Sequence, residues 1–388
     1  MLLCDVVFPQ NIPPLTYRVP EELTKSVKVG QTVIAPLRGK PKRALLWQIY
    51  EAEPLRQIDE IISIDEDIPP MERHLLRLLN WACQYYLCSE GQVLRAAQFE
   101  HYWRKPKRSK PPEIKLSCPE ALPLPGTLTI PQKGVIFYRS GSFQEEMAIA
   151  SKLIFQVMLQ KGAVLVLCPE RHEAEELYVL LKEALPQEAL ALYHGMLTDA
   201  QKSTVIKNLL SGRTKVLVGT KSAVFLPLMD LALIIVLREH SRQYKQQEIP
   251  KLNARDIAVK RGQLQSIPVV LTSATPSTET FLNVMLKKYA LKEGRGPKFH
   301  IPVSIVKKGR AHLSPTLTFE IKNSLRQRAS VIVLEQKLGY GILHCRECDH
   351  TITCPRCKRA FTFHKKKGAS LMCHFCATEE QAPQSCPN

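Results

Sequence analysis

The sequence predicts a mixed α/β chain in three parts: a small β-rich N-terminal domain, one parallel α/β sheet, and a cysteine-rich C-terminal module. Three observations predict it. Residues 1–64 hold short apolar–polar alternations separated by Pro and Gly. From about 127 to 330, apolar runs of strand length alternate with helical stretches. Seven of the twelve cysteines fall after residue 344.

In the first part, LLCDVVF, QTVIAPL, ALLWQIYEA and EIISI read as strands. The period then changes. Between 70 and 88, Leu75, Leu78, Leu79, Ala82 and Tyr86 recur at three- and four-residue spacing, which predicts a helix. Residues 104–126 open with RKPKRSKPP, carry further prolines and read as a basic linker, either a solvated tether or a phosphate contact. In the middle block AVLVLCP, KVLVGT, LALIIVL and IPVVLTSAT read as strands, and 145–161, 171–184 and 198–211 as helices. Such alternation predicts a parallel sheet covered on both faces. SVIVLEQ, residues 330–336, reads as a last strand leading into the tail.

The 388 residues carry 54 Lys+Arg against 36 Asp+Glu, a net charge of +18, and 45% are hydrophobic. Charge of that sign and size favours a polyanionic partner, with nucleic acid first. The opening MLLCDVVFPQ lacks a basic stretch followed by an apolar run, and no segment reaches the length of a membrane span. Cys4, Cys83, Cys88, Cys118 and Cys168 lie among apolar residues and read as reduced thiols. A cytoplasmic setting fits these features.

The tail holds Cys354-x2-Cys357-x15-Cys373-x2-Cys376, the spacing of a four-thiolate zinc site, because a two-residue spacer lets both sulfurs of a turn reach one tetrahedral ion. Cys345, Cys348 and Cys386 bracket it as a second set of three ligands, incomplete because a fourth is expected just past Asn388. His344, His350, His364 and His374 read as surface histidines. Phe361 and Phe363 read as core of the small module in preference to base-stacking platforms.

Several segments are distinctive in combination: YHGMLT, KVLVGTKSAVFLPLMDLALIIV, REH, QYKQQEIPKLNARDIA and VVLTSATPSTET, then the cysteine tail, with PLTYRVP, VIAPL and WACQYYLCSEGQVL near the start. In that order they resemble the primosomal protein N′ (PriA) family of replication-restart DNA helicases. The resemblance implies a DNA-binding domain over 1–103 that receives a 3′ end and a RecA-like helicase lobe over 127–329. It implies the start of a truncated second lobe over 330–344 and a zinc module over 345–388. The winged helix expected in the family between the first two is absent, and the 104–126 linker stands in its place. The resemblance further implies that Lys221 of GTKSA contacts DNA and that Thr272 to Thr275 couple nucleotide state to DNA movement. It makes His240 the last residue of a catalytic DEEH motif. Tyr244, Lys245 and Gln246 fall in a loop that stacks on single strands, and Tyr17 falls in the 3′-end pocket.

Departures from the family pattern fall where the chemistry should be. In YRSGSFQEE, Gly141 and Ser142 remain of a phosphate loop, but Gln144 replaces the lysine and Glu145 the magnesium-binding hydroxyl. In Leu237-Arg238-Glu239-His240 the metal-holding aspartate is Leu237, leaving Glu239 as the one acid. Leu15-Thr16-Tyr17 stands where Phe-Asp-Tyr would line the 3′-end pocket. The expectation is a truncated, degenerate member: a DNA-binding protein of replication restart and primosome assembly, holding zinc, with no working site for Mg·ATP. The alternatives are an ATP-dependent 3′→5′ DNA helicase and a decayed or incomplete gene product. Implied partners are forked or single-stranded DNA, single-strand binding protein and primosome components, and no membrane.

Overall fold

The computed structural model describes residues 1–53, 58–103, 130–294, 303–306, 313–334, 341–356, 358–365, 368–374 and 376–388. The basic linker predicted over 104–126 lies outside them. Residues 1–299 form one compact unit and 300–388 a second.

The first unit opens with β1 (Leu2–Val7), β2 (Leu15–Arg18), β3 (Thr32–Leu37), β4 (Lys40–Glu51) and β5 (Ser63–Ile64). They pair antiparallel in the order β2-β1-β4-β3-β5. Helices α1 (Arg73–Tyr86) and α2 (Glu90–Ala96) follow. Ser89 starts α2 with a reciprocal cap: its hydroxyl accepts from the Gln92 N–H while the Gln92 side chain accepts from the Ser89 N–H.

Next come β6 (Gly134–Arg139), α3 (Phe143–Leu159), β7 (Ala163–Leu167), α4 (Arg171–Lys182), β8 (Leu190–Tyr193), α5 (Asp199–Leu210), β9 (Val216–Gly219) and β10 (Leu231–Val236). Then follow α6 (Ala254–Gln265), β11 (Pro268–Ser273), α7 (Thr278–Met285) and β12 (Tyr289–Glu293). All seven strands run parallel in the order β12-β6-β11-β10-β7-β9-β8. Side chains alternate across the sheet, as a two-residue period requires. Ala163, Leu165 and Leu167 of β7 join one core with Ile234 and Val236 of β10, while Val164 and Val166 join Leu233 and Ile235 in the other. The first core also contains Val7, Leu45, Leu75, Leu78 and Leu94, so the N-terminal domain and the sheet share one apolar interior.

The predicted helices and the four named strands are present within two or three residues. β6, β8, β12 and α6 are not among the predicted elements. β8 has four residues, too few for a period to register. In α6 seven of twelve residues are buried, two of them arginines, because the helix lies between the sheet and α1. Its polar stripe is narrow, Asp256, Lys260 and Gln263.

In the second unit, α8 (Pro315–Arg326) buries none of its residues, and β13 (Thr362–His364), β14 (Ser370–Met372) and β15 (Glu379–Gln381) form a small antiparallel sheet. The strand predicted over 330–336 does not form in its described part: residues 330–334 are irregular, with Ile332 and Leu334 exposed. An apolar run becomes a strand only beside a ladder that takes its N–H and C=O groups, and no described strand pairs with it.

Gly91 lets α2 dock on the end of β1: an added Cβ would lie 1.9 Å from the Gln10 carbonyl oxygen and 2.6 Å from that of Phe8. Backbone atoms cannot step aside as a flexible side chain could. Gly91→Ala is expected to destabilise the first unit by about 2–3 kcal/mol, read as a lowered urea midpoint.

Candidate functional site

In a parallel sheet, ligands meet the loops at the carboxyl ends of the strands. Here β6, β11 and β10 are neighbours, and their loops carry Ser140–Ser142, Ala274–Ser277 and Leu237–Ser241. Ser142 caps α3 by accepting from the Glu145 N–H at 3.2 Å. The Glu145 side chain then folds back over the loop. One carboxylate oxygen accepts the Gly141 N–H at 2.7 Å, and the other accepts the Tyr138 hydroxyl at 2.8 Å. The backbone donor that a phosphate loop would offer to a ligand is held by an internal anion.

Glu146, the next residue, points inward and is 2% exposed. It accepts from the Ser140 hydroxyl at 2.9 Å, from the Arg238 N–H at 2.8 Å and from the Thr272 hydroxyl. This one carboxylate ties together the ends of β6, β10 and β11. Burial raises its pKa, and the three hydrogen bonds only partly offset that.

At the end of β10, Leu237 is fully buried in the core, where neither metal nor water reaches it. Arg238 has φ of +47° and pairs with Glu173, its guanidinium 5.8 Å from the centre of the Phe143 ring. A cation thus sits where the resemblance implies acids. Glu239 is 1% exposed, and both of its oxygens are taken. It accepts from the Ser277 N–H at 2.7 Å, the Ser277 hydroxyl at 2.8 Å, the Thr280 hydroxyl at 2.9 Å and Arg255 at 3.2 Å. Glu239, the one acid left in the degenerate motif, is saturated by these donors, and its carboxylate anchors the start of α7. His240 is exposed, and its Nδ1 lies 2.5 Å from the Ser273 hydroxyl, so a contact between the LREH and TSAT segments remains.

The four residues expected on DNA divide. Lys245 is exposed, and Lys221 is half-buried at the start of the 3-10 turn Lys221–Phe225. Tyr244 is 1% exposed, and its hydroxyl donates to the carbonyls of Leu167 and Leu237. Tyr17 is likewise buried and donates to the Pro36 carbonyl at 2.5 Å. Neither ring is free to stack on a base, because each hydroxyl is needed to satisfy a buried carbonyl. Thr16, on the opposite face of β2, donates to Asp5 at 2.7 Å, and Tyr50 donates to the same oxygen at 3.1 Å. A carboxylate therefore does lie beside Thr16, supplied by β1.

The cysteine turns repeat one conformation. Asp349, Lys358 and Ala377, each following the second cysteine of a C-x-x-C pair, have φ of 57°, 55° and 57°. The N–H groups of Cys345, Cys354 and Cys373 each donate to the carbonyl five residues on, that of His350, Arg359 and Thr378. These turns aim sulfurs inward. Cys354, Cys373 and Cys376 converge in one cluster, and Cys345, Cys348 and Cys386 in another, with ligand atoms within 4.8 Å of one another in each. Cys357, expected as the fourth ligand of the first, lies outside the described residues. Sulfur separations of 3.6 Å between Cys354 and Cys376 and 3.5 Å between Cys348 and Cys386 are close to the roughly 3.8 Å of thiolates sharing a tetrahedral ion. Backbone N–H groups of Cys348 and Glu347 draw the Cys345 thiol down to about 7. Phe361 and Leu371 are buried around the inner cluster, so the reading of Phe361 as core holds.

Residues 5–98 match the family model described as the 3′ DNA-binding domain (3′BD) of PriA. Replication restart protein PriA of Rickettsia felis is 29% identical over 398 residues, covering 96% of this chain and 59% of that protein. The chain is thus similar over nearly its whole length to replication restart proteins PriA. PriA of Chlamydia pneumoniae is 27% identical over 491 residues, covering all of this chain and 65% of that protein. The chain thus spans less than two thirds of the length of these PriA relatives. Among solved structures, RecG bound to a three-way DNA junction aligns with a TM-score of 0.33 at 15% identity, over 51% of this chain and 25% of that one. No helix among the described residues is long and apolar enough to cross a membrane.

Sequence reasoning missed Glu146, Arg255 and Ser277. The available signal for Glu146 was an acid opening the unbroken apolar run Met147–Ala150 of a helix buried nearly all round. It was masked because acids are ordinary in a first helical turn.

Because the folded pKa of Glu146 is raised, its contribution to stability is complete below the ordinary 4.5 and is lost as pH rises through the raised value. Glu146→Gln should therefore gain stability relative to wild type between pH 5 and pH 7. Thermal midpoints of the two proteins across that range check the sign.

Proposed function

We propose that this chain is a PriA-family DNA-binding protein of replication restart that does not hydrolyse ATP. One observation carries the second half of the reading. The Glu145 carboxylate occupies the Gly141 N–H, so an incoming triphosphate meets a negative charge where it needs a donor. Two unit charges about 4 Å apart at a partly exposed site repel by about 4 kcal/mol. Leu237 offers no carboxylate for magnesium. The first half rests on the 3′ DNA-binding match over 5–98 and on the net charge of +18. Lys221 and Lys245 remain candidates for phosphate contacts. Asp5, beside Thr16, is the candidate acceptor for a 3′-hydroxyl.

A second reading, an ATP-dependent 3′→5′ helicase, is favoured by the retained His240–Ser273 contact. It requires Glu145 to leave the loop. Phosphate release by the purified chain with single-stranded DNA separates the two. No turnover above buffer is expected, and Glu145→Gln, which removes the charge, should bind Mg·ATP about 100-fold more tightly than wild type. Clear turnover by the wild-type chain would reverse the assignment.

If Lys and Arg contacts to phosphate dominate, affinity for a forked oligonucleotide should fall by about 10³-fold between 50 and 200 mM salt, as measured by fluorescence anisotropy. A flat titration would count against DNA as the partner.

The two cysteine clusters are read as zinc sites. The inner one holds its ion through Cys354, Cys373, Cys376 and Cys357, and the outer one through Cys345, Cys348 and Cys386. Metal analysis should give one zinc fewer for Cys386→Ser, with the inner site intact. Cys354→Ser should lose the inner ion and unfold the small sheet.

A further inference from the structure

Helix α1 carries Arg73, Arg77, Trp81 and Tyr85 at four-residue intervals, which places them on one stripe. Arg73 and Arg77 are exposed and enter none of the ion pairs among the described residues. Tyr85 is 61% exposed, large for an aromatic ring. It is held firmly all the same. Its ring stacks on Trp81 at 4.7 Å and meets Tyr86 edge to face at 5.0 Å. Tyr86 is itself pinned to α6, its hydroxyl accepting from the Asn253 N–H at 3.2 Å. From α6, Lys260 places its ammonium 5.6 Å from the centre of the Trp81 ring. Beside the stack is a cavity of about 340 Å³ lined by residues of α1, α6 and α7. Its acids, Asp256 and Glu279, both face Arg255, at 2.8 and 3.6 Å, and Arg255 also pairs with Glu239, so Lys260 supplies the second cation of the lining.

We propose that this stripe binds single-stranded DNA: Tyr85, backed by Trp81, stacks on one base, and Arg77, Arg73 and Lys260 contact the flanking phosphates. The chemistry is that of aromatic platforms in a basic groove, which accept any base because every base has a π-face. The platform is held before the ligand arrives, so little side-chain freedom is lost on binding. Twelve residues at 1.5 Å each span about 18 Å, room for several nucleotides. The proposal rests on the DNA-binding reading and names a site within it that neither Tyr17 nor Tyr244 can provide.

The test uses the whole chain with a fluorescent oligo-dT carrying 5-iododeoxyuridine. Photocrosslinks should map to Trp81 or Tyr85. Tyr85→Ala, at an exposed position, should weaken binding about 10-fold or more, while Tyr85→Phe keeps the platform and binds as wild type. Arg77→Ala should reduce the salt slope by about one unit. If wild type binds oligo-dT but the crosslinks fall elsewhere and Tyr85→Ala binds normally, this site is wrong and the DNA-binding reading stands. If wild type binds no DNA at any salt, both are wrong.

Discussion

Backbone N–H groups at the mouth of a parallel sheet must find acceptors, and in this chain Glu145 and Glu146 supply them. The two carboxylates leave adjacent residues at the start of α3 and do opposite things. Glu145 turns outward onto the Gly141 N–H. Glu146 turns inward, accepts the Arg238 N–H and reaches the Thr272 hydroxyl. Together they hold the loops of β6, β10 and β11 in place without nucleotide. The mouth of the sheet is thereby tied together by its own side chains. The helix N-terminus, which favours negative charge, offsets part of the cost of gathering two acids there. The LREH and TSAT segments are joined twice, through Glu146, which bonds Arg238 and Thr272, and through the His240–Ser273 contact.

The second organising fact is the shared interior. Leu75, Leu78 and Leu94 of the N-terminal domain lie in the same core as Leu165, Leu217 and Ile234 of the sheet. The domains are not beads on a tether. Tyrosines mark the seam. Tyr102 donates to the Phe225 carbonyl, Tyr193 donates to the Gln98 side chain, and Tyr86 pairs with Asn253. Each gives an apolar body to the core and a hydroxyl to a polar group that would otherwise be stranded. One consequence is that the outer stripe of α1 is held at a fixed position on the sheet domain.

Within the C-terminal unit the economy is different. Among the described residues few are buried, and their core is Cys354 and Cys373 with Phe361 and Leu371. A module this small lacks apolar area to fold alone, so its organisation depends on the sulfur clusters. The recurrence of one left-handed residue after three C-x-x-C pairs gives the same turn each time.

The sequence by itself determined the three-part layout, the parallel sheet and the cysteine clusters. All of these follow from local period or spacing, and both kinds of information are written along the chain. What only tertiary structure decided was where each side chain goes once neighbours compete for its polar atoms. Tyr17 and Tyr244 read as stacking platforms until the fold showed Pro36, Leu167 and Leu237 carbonyls claiming their hydroxyls. Glu239 read only as the last acid of a degenerate motif, and the fold showed Ser277, Thr280 and Arg255, distant in sequence, saturating it. The strand expected over 330–336 failed for a related reason, since a strand exists only with a partner. Hydrogen-bond satisfaction is a property of the assembled interior, and no window of sequence contains it.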